Sequence, residues 1–300
     1  MERKIIKQGV GGSTIFLPIT WVRKNKLHPG DSVQVIENNN RIVISPSMYQ
    51  PGSLKTKEIT IVDKNQKQIR SIIASLYKQG YDEIVLYCKV PVHITEINSI
   101  VSTFTGLEVM HAAHNKIMLK SLLQEREEDI EKIIIRMIHT LKLILEIIDD
   151  QWTKVNLREI DTLVHTNLRK HRDLCLRTIT KTKFGEDKMY DYYDFVTQLE
   201  KFGTLAYYLA TYIVSKKAKK TALYATIVSG FKKLSECYFQ RNFEEINAFS
   251  IQMRQDSTSP LQIKSLEKLL KKEDPLFLIY YHNLMFTMQH IISREASILS

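Results

Sequence analysis

The sequence predicts an α+β protein of several domains, because three stretches of the 300-residue chain space their apolar residues differently. Residues 1–46 contain short apolar strands separated by turn-forming glycine, proline and asparagine. Residues 57–120 alternate between strand-like and helix-like spacing, and residues 121–300 repeat apolar residues three and four apart. We therefore expect a small β-rich domain, a small α/β module and an all-α bundle.

The first domain, residues 1–46, is predicted as strand, glycine loop, strand, short helix and two further strands. Gly9, Gly11 and Gly12 allow loop conformations that other residues adopt at a cost. Pro18 fixes a φ angle that suits the start of the short helix. Because so short a segment buries little apolar area and offers no metal or disulfide, we expect two copies to interlock.

Residues 47–56 are predicted as a linker, and residues 57–120 as the α/β module. The module has the pattern strand, helix, strand, helix and two further strands, with Gly80 ending its first helix. A turn at His114–Asn115 is expected between its last two strands.

Residues 121–300 are predicted to be helical, with about six helices and breaks near residues 151, 185, 216, 242 and 260. Three apolar stripes support this prediction, namely Ile130, Ile133, Met137, Leu141, Leu145 and Ile148; Val196, Leu199, Phe202, Ala206, Leu209 and Ile213; and Phe277, Tyr280, Leu284, Met288 and Ile291. Three long helices followed by three more suggest a duplicated three-helix bundle, with repeats at about 121–216 and 217–300.

The composition indicates a cytoplasmic protein with an anionic partner. Forty-three Lys and Arg against 33 Asp and Glu leave a net charge of +10, which favours such a partner where the charge is clustered. The most apolar stretch, residues 133–148, contains Arg136, Lys142 and Glu146 and is predicted as an amphipathic core helix, so no membrane insertion is expected. The three cysteines form no Cys-x-x-Cys pair, and a reducing compartment fits.

The first domain resembles the AbrB/SpoVT/MazE-type swapped-hairpin family in several elements at fixed spacing. These elements are Arg3-Lys4, Gly11-Gly12-Ser13, Leu17-Pro18, Trp21-Val22-Arg23-Lys24, Leu27, Gly30-Asp31 and Val33. In that family two chains exchange hairpins to build one β-barrel, so the resemblance implies a homodimer. It also implies that double-stranded DNA is contacted by Arg3, Lys4, Lys7, Ser13, Arg23 and Lys24.

The charge of residues 1–46 agrees with that implication. Seven basic residues against three acidic ones give a net charge of +4, and pairing two copies doubles it on a small body. The alternative is an ordinary solvated surface on a dimerisation module that touches no nucleic acid.

Two helical stretches resemble PhoU-type phosphate-uptake regulators: Gln198–Val214 and, before it, Asn156–Leu174. The order of swapped-hairpin domain, α/β module and PhoU-like bundle also resembles archaeal regulators of this type. The resemblance implies that the bundle senses or relays phosphate status. Within the earlier stretch, residues 165–173 are expected to form a solvated or interhelical polar face.

PhoU proteins bind metal through acidic residues four apart on one helix face, and this chain departs from that pattern. Glu200 is followed by Thr204 where the aspartate belongs, and Asp161 is preceded by Leu157. In the second repeat, the two acidic positions hold His282 and Phe286. No cofactor is expected, and Asp161 and Glu200 are the only metal candidates; a role as helix-surface or cap carboxylates is favoured for both.

The lysine-rich stretch Ser215–Lys220 is interpreted as a charged helix end or interhelix loop, with a second anion contact as the alternative.

An enzyme is not expected, because no nucleophile–base pair, phosphate loop, dinucleotide loop or complete metal motif occurs. Two functions remain. The chain is either a DNA-binding regulator of phosphate uptake, or an adaptor whose barrel only dimerises while the bundle docks on a phosphate transporter or signalling protein.

Overall fold

The structure, a computed structural model, describes residues 3–8, 12–38, 41–46, 54–113, 115–184, 187–255 and 269–300. The chain divides into two compact units, residues 1–54 and residues 55–300. Mixed α and β content is confirmed, with helix predominating. Several predicted features lie outside the described residues: Gly9 and Gly11, most of the linker, His114, and the helix breaks near residues 185 and 260.

The first unit contains two separate antiparallel hairpins and one short helix. Its elements are β1 (Ile6–Gln8), β2 (Gly12–Thr14), α1 (Ile19–Lys24), β3 (Val33–Asn38) and β4 (Arg41–Pro46). β1 pairs with β2 and β3 pairs with β4, so the described strands of a single chain do not close into a barrel. The predicted order of strand, strand, helix, strand and strand is confirmed, and β2 ends at Thr14.

The second unit begins with a four-stranded sheet covered by two helices. Its elements are β5 (Thr56–Ile61), α2 (Gln66–Lys78), β6 (Glu83–Cys88), α3 (Ile94–Val101), β7 (Leu107–Ala113) and β8 (Lys116–Ser121). The strand order is β5-β6-β8-β7, with β5 parallel to β6 and the other pairs antiparallel. Asn65 caps α2 by accepting from the backbone N–H of Lys67 at 3.0 Å. Gly80 follows α2 with φ +76°, as the helix-end prediction requires.

The rest of the unit is helical, which confirms the predicted helical region among the described residues. Its helices are α4 (Glu128–Gln151), a 3₁₀ turn (Trp152–Lys154), α5 (Leu157–Asp161), a π-helix (Thr162–Leu168), α6 (Arg169–Thr182), α7 (Met189–Lys216), α8 (Ala222–Gln240), α9 (Phe243–Gln255) and α10 (Pro275–Leu299). The first two predicted stripes are buried completely. The third is buried except for Tyr280, which is half-buried, while Tyr281 lies in the core.

A fully buried arginine joins the sheet module to the helices. Arg177 Nη2 contacts Asp82 Oδ1 at 2.8 Å, Nη1 donates to the carbonyl of Tyr81 at 2.6 Å, and Nε donates to Glu125. Burial opposes ionisation of Asp82, but hydrogen bonds from Lys181 and the Lys55 backbone outweigh it and hold the pKa of Asp82 below its usual range. The sheet module and the helices are therefore packed together within this unit.

Candidate nucleic-acid interface

The β1–β2 hairpin places two of the predicted DNA contacts side by side. Lys7 pairs directly with Ser13 in the register, so their side chains share one face of the hairpin. Both residues are exposed, as are Arg3 and Lys4, which precede β1. An ammonium group beside a hydroxyl offers the donors that phosphate oxygens accept.

The other two predicted contacts, Arg23 and Lys24, lie exposed in the last turn of α1. The helix ends in a Schellman motif: Leu27 N–H donates to the Val22 carbonyl, and Lys26 N–H to the Arg23 carbonyl, both at 3.1 Å. Lys26 adopts a left-handed φ of +54° to make this turn. The basic last turn also complements the helix dipole, which is a structural reason for these residues that needs no nucleic acid.

A tight turn fixes the path from α1 into β3. Asp31 N–H donates to the His28 carbonyl at 3.0 Å, and Gly30 has φ +98°, which together with Pro29 describes a type II turn. The Asp31 carboxylate accepts from the His28 backbone N–H at 2.7 Å. These bonds set where the basic end of α1 stands relative to the second hairpin.

The described side chains of the first unit form no buried core. None of its side chains that the structure describes is buried, and Phe16 and Ile42 are 65% and 68% exposed. Val35 pairs with Ile44 across the β3–β4 hairpin, so apolar groups gather on one face of it. Leaving such surface in water is unfavourable, which makes these exposed apolar groups a candidate contact surface.

The two metal candidates lie in one chain of polar contacts beside the π-helix. Asp161 is 3.8 Å from Nε2 of His165, and Nδ1 of His165 is 3.0 Å from Arg169. Arg169 in turn lies 3.7 Å from Glu200 on α7. The stretch 165–173 is therefore an interhelical polar face.

The carboxylate of Glu200 forms ion pairs with the guanidinium groups of Arg169 and Arg172. Arg172 Nη1 donates to Glu200 Oε2 at 2.8 Å, and Arg172 also donates to the fully buried Asp173. Thr204 lies 3.4 Å from the other oxygen of Glu200. Burial disfavours the charge on Arg172, but Asp173 and Glu200 outweigh it and raise its pKa. A divalent cation at Glu200 would have to displace arginines already paired there.

The described residues contain no group of three or more His, Cys, Asp or Glu side chains able to hold a metal ion. In α10 the two positions aligned with acidic residues carry aromatic rings, His282 and Phe286, whose centroids are 6.2 Å apart. In the same described ranges no helix combines the length and apolar character needed to cross a membrane.

Comparisons with family models, characterised proteins and solved structures each returned no match. The function is therefore inferred from the chain's own side chains.

Two arginines of the second unit, Arg70 and Arg177, are not predicted from the sequence to have a role. Arg70 of α2 is half-buried, and burial together with the nearby Arg169 lowers its pKa. Arg177 is fully buried between the module and the helices. The signal for Arg177 was its position in the apolar run from Leu174 to Ile179, whereas Arg70 carried none, because its partners are distant in sequence.

Proposed function

We propose that the protein is a cytoplasmic, homodimeric DNA-binding transcription regulator whose N-terminal units pair and contact duplex DNA. One observation carries the proposal: the first unit has no buried side chain among its described residues, yet it exposes apolar and basic groups together. Pairing covers the apolar groups, and the basic groups remain for phosphate.

The expected contacts are Arg3, Lys4, Lys7, Ser13, Arg23 and Lys24, the set that the swapped-hairpin resemblance implies. In a dimer the five basic residues become ten, enough to supply strong, salt-dependent attraction to duplex DNA. The separate hairpins of a single chain are compatible with a barrel that closes only when two chains exchange them.

The helical unit is proposed as the part that senses or relays phosphate status, as its resemblance to PhoU-type regulators implies. The pairing of Glu200 with Arg172 supports a relay that works without a multinuclear metal cluster. The duplication of the bundle into two three-helix repeats remains part of this proposal.

Salt-dependent binding to a random-sequence duplex pool tests the DNA contacts. The variant Arg23→Ala with Lys24→Ala removes four charges per dimer. The negative slope of log K against log salt should therefore become shallower by about 3 to 4. Lys64→Ala with Lys67→Ala, which changes the charge equally outside this unit, should leave the slope unchanged. An unaltered slope in the first variant would show that α1 does not face DNA and would favour the adaptor.

Sedimentation velocity tests the pairing. Phe16→Glu places a charge on a side chain that we expect the partner chain to cover, so the protein should become monomeric and lose DNA affinity. The compact unit of residues 55–300 should keep its helical circular dichroism, which separates lost pairing from unfolding. A Phe16→Glu protein that stays dimeric would refute the assigned surface.

A further inference from the structure

A lysine-lined cleft of about 690 Å³ opens between the end of α7, the connection to α8 and the start of α10. Its volume lies in the range of small-molecule sites. The charged residues that line it are Lys216, Lys217, Lys219, Lys220, Lys272, Glu273 and Asp274, which leaves a net charge of +3.

Three of these lysines are free to bind a ligand. Lys217, Lys219 and Lys272 are exposed, and their ammonium groups form no hydrogen bond or ion pair among the described residues. Lys220, by contrast, contacts the Asp149 carboxylate at 2.7 Å and its carbonyl at 2.9 Å.

One of the two acidic residues of the cleft, Asp274, already accepts hydrogen bonds from other groups. Asp274 accepts from the backbone N–H groups of Leu276 at 2.8 Å and Phe277 at 3.3 Å, and from the Tyr212 hydroxyl. These bonds take three of the roughly four lone-pair sites of the carboxylate and leave little of it to hydrogen-bond a lysine, while its charge still counts in the net +3.

The lysine loop is held in place before any ligand arrives. Lys217 has φ +48°, and the N–H of Ala218 donates to the Ile213 carbonyl at 3.1 Å in a Schellman motif. The indole N–H of Trp152 donates to the Ala218 carbonyl at 2.7 Å. A preformed loop lowers the entropy lost when a ligand binds.

We propose that this cleft binds a compact polyanion that carries two or more linked phosphate groups. Three unpaired ammonium groups around one concavity supply nine donors to phosphate oxygens, and the space exceeds what a single phosphate needs. A concave pocket suits a small polyanion better than the convex rod of a duplex. The inference does not depend on the N-terminal unit contacting DNA.

The source of the phosphate chain is distinguished by comparing inorganic tripolyphosphate with a nucleoside triphosphate. The aromatic side chains Tyr212 and Phe277 of the cleft are both buried and present no open ring face on which a base could stack. We therefore expect the two ligands to bind with similar affinity. A nucleoside triphosphate that binds far more tightly would overturn the assignment to the phosphate chain alone.

Calorimetric titration of the full chain with tripolyphosphate tests the site. Substituting Lys217→Gln, Lys219→Gln and Lys272→Gln together should weaken binding by at least about tenfold, because one lost charged hydrogen bond already has that effect. The matched control, Lys64→Gln with Lys67→Gln and Lys201→Gln, changes the net charge equally at exposed positions outside the cleft, and should bind within about threefold of the natural chain.

Trp152 gives a second readout, because its indole is bonded to the loop. In a Trp21→Phe background the remaining tryptophan fluorescence should shift saturably with tripolyphosphate and not with sulfate at equal ionic strength. Equal losses in the two triple variants, no saturable binding, or displacement of tripolyphosphate by duplex DNA would each overturn the proposal. Retained binding in the Arg23→Ala, Lys24→Ala variant would show that this site is independent of the DNA contacts.

Discussion

Replacing Arg177 by methionine should destabilise the second unit more than any exposed charge change. The variant keeps most of the apolar volume but removes the cation that contacts Asp82 and Glu125 and the donor to the carbonyls of Tyr77 and Tyr81. Asp82 retains Lys181 at 2.8 Å, whereas Glu125 loses its only ion-pair partner among the described residues.

The expected cost is about 3–5 kcal/mol in free energy of unfolding, the usual result of removing one member of a buried ion pair. Most of that cost comes from the carboxylate and carbonyl groups left buried without partners. Adding Glu125→Gln to Arg177→Met should therefore restore about 1–2 kcal/mol, because the unpaired charge is gone. Lys181→Met, at a side chain 22% exposed, should cost only about 1 kcal/mol.

Urea denaturation followed by Trp152 fluorescence and far-UV circular dichroism measures these differences in the Trp21→Phe background. Coincident transitions from the two signals would establish that two-state free energies apply. An Arg177→Met cost below about 1 kcal/mol, or no recovery in the double variant, would refute the assigned role of this arginine.

Four further outcomes are expected. Glu295 is fully buried, neither of its carboxyl oxygens bonds to a described residue, and burial raises its pKa to about 9. Since the folded state holds this proton more tightly, stability should fall as pH rises from about 4.5 to 9, and Glu295→Met should flatten that fall and add about 2–3 kcal/mol at pH 8. Lys183→Gly, at φ +55°, should stabilise the protein by about 0.5–1 kcal/mol, whereas Lys201→Gly within α7 should cost about 1 kcal/mol. A Lys183→Gly variant that is destabilised in denaturation would contradict the cap geometry. Gly203→Ala should lower the melting temperature despite its better helix propensity, because a Cβ there lies 2.6 Å from Leu168 Cδ1. Elemental analysis of protein purified without chelator should find less than stoichiometric metal, and a chelator should leave the melting temperature unchanged; bound iron or zinc at one per chain would contradict the pairing at the bundle carboxylates.

Local sequence patterns predicted the elements well wherever one spacing rule governed the residues. The stripe from Ile130 to Ile148 is buried as the helical period requires, and Gly80 ends its helix as expected. Tyr280 and Tyr281 show the limit, because adjacent tyrosines differ only in which side of α10 meets the core. The π-helix at Thr162–Leu168 was missed, since one extra residue per turn leaves no mark in composition.

The candidate sites also differ in how far local sequence motifs could predict them. The basic residues of the first unit could be named from local motifs, and the DNA contacts assigned to them stay a prediction. The partners of Glu200 could not be named in this way, because Arg172 lies 28 residues away in sequence and contacts Glu200 only through helix packing. The lysine cleft was visible as a charged run, but Lys272 joins it from a segment more than 50 residues further along the chain.

Arg177 also has a consequence during synthesis of the chain. The strands and helices of the sheet module are complete by Ser121, yet the cation that Asp82 contacts is translated 95 residues after it. At about 5–20 residues per second, the ribosome delivers that side chain roughly 5–20 s later. Until then Asp82 and the Tyr77 and Tyr81 carbonyls of a nascent chain face water in place of the guanidinium that pairs with them in the finished unit.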